Sequence, residues 1–156
     1  MIKQPLLTGF LFVGATIILT SCRFDGDQLR EYLPLEVADA SSIYSERDIL
    51  FCAVSIYELA DTPTNTDVPF SIPNRSTTDW LQLPLEGKVD YGSFAAQALF
   101  DGNECFDRKA QNITGLPKLS YYYSSDQQGY FIEIRHDLIL VHDTVRNLII
   151  ISSRAR

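Results

Sequence analysis

Two histidines and their neighbours are the residues best placed to do chemistry. The stretch "HDLILVHD" repeats a His-Asp pair, His136-Asp137 and His142-Asp143. A histidine oriented by an aspartate is half of the constellation that activates a serine or cysteine nucleophile. The intervening residues read as one strand, which at about 3.3 Å per residue places the two histidines roughly 20 Å apart, too far to share a metal ion. Adjacent strand residues also point to opposite faces, so neither aspartate need face its own histidine. No serine sits in a G-x-S-x-G elbow. Both pairs are therefore expected to be solvated residues bounding a strand. His142, beside a turn, is the better functional candidate of the two. The second candidate is "SYYYSS", Ser120 to Ser125. Read as a strand, it puts Tyr121 and Tyr123 on one face and Tyr122 on the other. Adjacent tyrosines offer contact area at little entropic cost, and Tyr121, Tyr122, Tyr123 and His142 form the candidate binding patch.

Other chemistries have no foothold. The chain shows no P-loop, dinucleotide-binding glycine pattern, H-E-x-x-H or EF-hand loop. Its carboxylates are scattered, and no pair can be assigned to glycoside cleavage. The sequons at Asn74 and Asn112 are read as coincidental. No catalytic residue, metal ligand or cofactor is assigned. With 13 Lys and Arg against 20 Asp and Glu, the formal charge is −7. Nucleic-acid binding draws its affinity from cations, so nucleic acid is not an expected partner.

The elements that must position these candidates are clearest in the last third. Leu119–Ser124 is predicted as a strand, Asp126–Gly129 as a turn, and Tyr130–Arg135 as a strand with alternating faces. Leu138–Val141 and Leu148–Ser152 follow, joined by short turns, so a four-stranded antiparallel meander is the economical topology. "LILV" and "LIII" are apolar on both faces, whereas a half-exposed sheet would alternate. Both faces must be covered, by the earlier part of the chain or by a partner, and the segments around Ile49–Tyr57 and Ser93–Phe100 are the expected cover. Ser93–Phe100 reads as a short helix capped by Ser93. Trp80–Leu83 is a short strand ended by Pro84. The Pro-interrupted stretch Thr62–Asp79 is loop. Ser45–Ala60 is ambiguous. Ser45 and Asp48 resemble a helix cap, but the β-branched and aromatic content of Ile49–Tyr57 favours a strand. The fold class is thus α+β, a single small domain with a C-terminal antiparallel β-meander and one or two short helices.

The N-terminus carries an address. Lys3 precedes an apolar run from Leu6 to Leu19, with no acidic residue before Asp25. That is the layout of a secretory signal peptide, and the run is short for a membrane-spanning helix. Leu19-Thr20-Ser21-Cys22 then resembles the lipobox of bacterial lipoproteins. The resemblance implies cleavage before Cys22, diacylglycerol on its thiol and acylation of the new amine. It covers the signal region only. Several acyl chains give the stable attachment that a single chain does not. Arg23 does not match the Asp that marks inner-membrane retention, which favours the outer membrane.

The expected organisation is signal peptide 1–21, lipidated tether 22–42 and globular domain 43–156. Loss of Lys3 with the signal takes the formal charge from −7 to −8. In the tether, Leu29, Tyr32 and Leu33 are spaced for a helical turn ended by Pro34, and part of this segment is expected to dock on the domain. Cys22 also explains the odd count of three cysteines, leaving Cys52 and Cys105. These are expected either to pair, closing a long loop in a compartment that permits disulfides, or to remain buried thiols. The expected role is non-catalytic: a binding or assembly factor, or an accessory subunit, attached to the membrane by the lipid on Cys22 and engaging a protein partner in the envelope. The alternatives are a periplasmic inhibitor or immunity-type protein acting through Thr62–Asp79, and an envelope hydrolase of unrecognised type.

Overall fold

A computed structural model describes residues 27–48, 50–60, 70–72 and 78–154. The α+β class holds. Among the described residues, six antiparallel strands form one sheet in the order β1-β2-β6-β5-β4-β3. They are β1 (Ser41–Asp48), β2 (Cys52–Glu58), β3 (Leu81–Gln82), β4 (Gly129–Arg135), β5 (Leu138–Asp143) and β6 (Leu148–Arg154). Three short α-helices lie between β3 and β4 in the chain: α1 (Phe94–Gly102), α2 (Arg108–Thr114) and α3 (Tyr121–Ser124).

The central strands are apolar on both sides because both sides are covered. On one face Val54, Ile56, Phe131, Ile139, Val141 and Ile150 pack under the helices. On the other, Tyr57, Ile132, Leu138, Leu140, Ile149 and Ile151 pack under residues 27–40, with Phe70, Ile72 and Trp80 at the margin. Ser93–Phe100 covers one face as expected. Ile49–Tyr57 covers neither, since β2 is itself a member of the sheet, paired to β6 along its whole length.

Residues 27–40 are more than a tether. Two one-turn 3-10 helices, Arg30–Tyr32 and Leu35–Val37, carry them across the sheet as a strap. Leu29, Leu33 and Val37 are buried in the second core. The expected boundary between residues 42 and 43 therefore falls inside the packed unit, which begins by Asp27. The apolar spacing of Leu29 and Leu33 is the physical reason.

Ser45–Ala60 resolves as a hairpin with a turn at Leu50 and Phe51. Asp48 accepts from the Leu50 amide at 2.8 Å, an Asx turn instead of a helix cap. Ser45 and Ser55 are register partners, with hydroxyls 3.0 Å apart.

The meander has three strands, β4 to β6, not four. Leu119–Ser124 is not a strand: it contains the helical turn α3. Leu119 and Tyr122 are both fully buried. Three residues apart, they share a side in a helix but face opposite ways in a strand.

Close approaches lock the layers. Ser93 caps α1 by accepting from the Ala96 amide at 3.2 Å. α1 lies directly on β6, where Ser152 Oγ donates to the Ala98 carbonyl at 3.1 Å. A Cβ on Gly102 would stand 2.3 Å from that same Oγ, so only glycine permits this packing. Cys52 and Cys105 are disulfide-bonded, S–S 2.05 Å, joining the start of β2 to the segment after α1. Tyr44 of β1 donates to the Cys105 carbonyl at 2.7 Å. Among the described residues, no helix is long and apolar enough to cross a membrane.

Candidate functional site

The structure separates His142 from Asp143. They are consecutive in β5 and turn to opposite sides of the sheet. Both are buried, which corrects the expectation of solvated residues. Asp143 points under the helices and is fully enclosed. One of its carboxylate oxygens accepts from the Val145 and Arg146 amides at 3.0 and 2.9 Å. The other accepts from the Tyr122 hydroxyl at 2.7 Å and from Arg146 Nη1 at 2.8 Å. Four donors occupy this carboxylate, so it acts as a knot tying the β5–β6 turn to α3. The next residue of that turn, Asn147, has a left-handed φ of 57° and donates to the Leu59 carbonyl at 2.7 Å.

His142 lies on the strap face, its ring 4.8 Å from Phe70 and 6.3 Å from Tyr130. Its Nδ1 is buried with no hydrogen-bond partner among the described residues. Burial holds the imidazole below its ordinary range, against a smaller opposing pull from Asp143. A histidine kept neutral in this way is packing. His136 matches its expectation: its side chain is 73% exposed, with Nδ1 3.2 Å from Glu133. Among the described residues, no group of three or more His, Cys, Asp or Glu side chains could hold a metal ion.

The three tyrosines do not form one patch. Tyr122 is buried, and burial, reinforced by Asp143, pushes its phenol well up. Tyr123 is half-buried, its hydroxyl donating to the Val89 carbonyl at 3.1 Å. Tyr121 alone of the three is exposed. The helical turn is the reason, because it spreads three consecutive side chains over about 200° of arc.

A different aromatic surface takes their place. The rings of Tyr91 and Phe100 lie 4.7 Å apart, and Tyr123 sits 5.6 and 5.7 Å from them. Tyr91 is 58% exposed, and Phe94, the first residue of α1, is 60% exposed. Gln97 donates to the Tyr91 carbonyl at 3.1 Å and holds the preceding loop against the helix. Rings packed against one another in this way, one pair edge to face and two tilted, are pre-ordered, so a ligand gains contact area without ordering them. Sequence reasoning missed this cluster. Its one readable signal was that Phe94 and Phe100 bound the small apolar run of α1.

On the other face, the strap is held by a clasp that sequence reasoning also missed. Asp27 accepts from Ser55 Oγ at 2.9 Å and from the Tyr57 hydroxyl at 2.6 Å. Arg30 pairs with Asp27 at 3.6 Å and donates to the Ala38 and Ala40 carbonyls at 2.9 and 2.7 Å. Its guanidinium lies 5.4 Å from the Tyr57 ring centre. Burial, with Asp27 next to it, pushes the Tyr57 phenol up.

Cys22 lies outside the described residues, as do residues 62–69 and 73–77 of the loop expected over Thr62–Asp79. The described part of that loop turns inward: Phe70 and Ile72 pack against the strap-face core, and Trp80 Nε1 donates to the Phe70 carbonyl at 2.9 Å. The chain matches no protein-family model, no characterised protein and no solved structure.

Proposed function

We propose that this chain is a small lipid-anchored protein of the bacterial envelope that binds a protein partner and carries out no reaction of its own. It would serve as an assembly factor or accessory subunit, held by lipid on Cys22 in the outer membrane and facing the periplasm. The observation that carries the binding role is the packed ring cluster of Tyr91, Phe100 and Tyr123, which presents Tyr91 to solvent over two partly buried rings. Aromatic anchors of this kind dominate the energetics of protein interfaces. The lipobox-like Leu19-Thr20-Ser21-Cys22 supports the anchor, and the Cys52–Cys105 bond suits an oxidising compartment.

Crosslinking in intact cells followed by capture from detergent-solubilised membranes tests the role. A discrete crosslinked protein is expected with the native chain and a much weaker one with Tyr91→Ser/Phe100→Ser. Absence of any crosslinked partner, or equal capture by the variant, refutes the reading. For the anchor, Cys22→Ser should release the protein from membranes. Retention of the variant, with no loss of lipid mass, refutes that half.

A further inference from the structure

The exposed apolar residues are unevenly placed. One end of the sheet is where β1, β4 and β6 finish and β2 and β5 begin, as the pairings Asp48↔Cys52, Cys52↔Arg154 and Leu138↔Ser153 show. The β1–β2 turn at this end presents Leu50, 72% exposed, and Phe51, 56% exposed. Phe94, 60% exposed, reaches the same end, its ring 5.9 Å from that of His136 in the β4–β5 turn. Three large apolar side chains thus stand exposed at this end of the sheet, Leu50 and Phe51 at one turn and Phe94 beside another. Arg47 and Arg154 also lie at this end. A hairpin tip of consecutive Leu and Phe adds little to the core, since both side chains are largely exposed.

The strap bears on what covers it. Asp27 is fastened to Ser55 and Tyr57, and Gln28 accepts a hydrogen bond from Arg47, three residues before Leu50. Four residues separate Asp27 from Cys22. Whatever path they take, the Cys22 Cα is at most about 18 Å from the Asp27 Cα, at ~3.6 Å per residue. Phe51 lies four residues along β2 from Ser55, about 13 Å at ~3.3 Å per residue. Through Asp27 and Ser55 the attachment point is therefore tethered within about 40 Å of the hairpin tip, so one bilayer can hold the anchor and meet the tip. An anchor this short also makes any second contact with the same surface intramolecular, so even a weak apolar contact is populated.

We propose that Leu50, Phe51 and Phe94 form a membrane-contact edge, and that the hairpin tip enters the interface of the bilayer to which Cys22 is anchored. The occupant is the lipid surface itself. The proposal rests on the lipid anchor of the preceding section and adds an orientation: strands roughly upright on the membrane, with the β5–β6 turn farthest from it. Leucine and phenylalanine are side chains that settle at the boundary of headgroups and acyl chains, with arginines remaining among the headgroups.

The test uses the full chain, matured in a bacterial envelope and reconstituted into vesicles of phosphatidylethanolamine and phosphatidylglycerol with brominated acyl chains. Phe51→Trp places an indole at the tip, and Val145→Trp places one at the opposite end, where Val145 is 63% exposed. Each is read against the native chain, which has one tryptophan, Trp80. The added emission of Phe51→Trp is expected to shift to the blue and to be largely lost to bromine quenching. That of Val145→Trp should be neither. Both positions are exposed, so both variants should fold, as an unchanged melting curve would confirm. Vesicle-bound protein with no quenching of Phe51→Trp, or with equal quenching of both, overturns the proposed edge while leaving the anchor intact. Failure of the native chain to associate with vesicles, with a mature mass lacking lipid, overturns the anchor and the edge together.

Discussion

Asp143→Ala is the most informative single perturbation of the fold, because one buried carboxylate holds four donors. Its removal leaves the Tyr122 hydroxyl, on a fully buried side chain, with no acceptor. A buried donor stranded in this way costs about 1–3 kcal/mol. The Val145 and Arg146 amides lose an acceptor in a turn where Val145 is well exposed, so water replaces much of that loss. Arg146 keeps its bond to Gln127, 2.6 Å, and can relax towards solvent. The total is about 3–5 kcal/mol, the scale for breaking a buried pair by removing one partner. For a domain of this size that is a fall in Tm of roughly 10–20 °C. Urea denaturation gives the free energy directly. A double-mutant cycle with Tyr122→Phe then isolates the shared bond. Tyr122→Phe should cost about 1–2 kcal/mol in the native background, and nothing or less in Asp143→Ala, where it removes the stranded hydroxyl. Asp143→Asn, which retains an acceptor for the two turn amides, should fall between. A cost below about 1 kcal/mol for Asp143→Ala, or strict additivity in the cycle, would show that the carboxylate is not the structural knot described here.

Three further outcomes test other parts of the structure. Asp27→Ala should loosen the strap before the sheet: hydrogen exchange at residues 29–40 should accelerate on the order of a hundredfold, since charge-assisted bonds to Ser55 and Tyr57 are each worth about 1.5–3 kcal/mol. Unchanged exchange there would mean that apolar packing alone holds the strap. Burial keeps His142 neutral in the fold, so below the ordinary imidazole pKa of about 6.5 the unfolded chain binds the extra proton and the folded chain resists it. Stability should therefore be level above about pH 6.5 and decline as the pH falls below it. His142→Leu should flatten that decline, and an unchanged slope in the variant would count against it. Gly129 has φ 138°, and a Cβ there would lie 2.0 Å from the His142 carbonyl oxygen. Gly129→Ala should cost about 3 kcal/mol or abolish folding, and a native-like melting curve would contradict the close β4–β5 approach.

The sequence was informative wherever a local pattern had one physical meaning. Alternation in Tyr130–Arg135, the doubly apolar "LILV" and "LIII", and Ser93 ahead of a small apolar run each specified an element and its burial. It failed where two patterns were locally equivalent. "SYYYSS" suits a strand by composition, and only the shared burial of Leu119 and Tyr122 selects a helical turn. "SERDILFCAVSIYELA" contains a hairpin because Asp48 can close an Asx turn and β6 offers Cys52–Glu58 a full-length partner. The Asx turn is local but competes with a helix cap at the same Asp48, and the β6 partner lies about a hundred positions away in sequence, so the choice could not be read there.

For the candidate site the division is sharper. Residue types alone limited the chemistry that could be argued: scattered carboxylates, no nucleophile elbow, and a cysteine placed like an attachment point. They could not say which side chains face one another. Tertiary packing decided that Asp143 serves Tyr122 and Arg146 while His142 meets Phe70. It decided too that Tyr91, Phe100 and Tyr123 converge, although up to 32 positions separate them in the chain. Strand and helix periods set which face each residue takes, and those are local. Contacts between faces arise only when the sheet is closed over by its helices on one side and its N-terminal strap on the other.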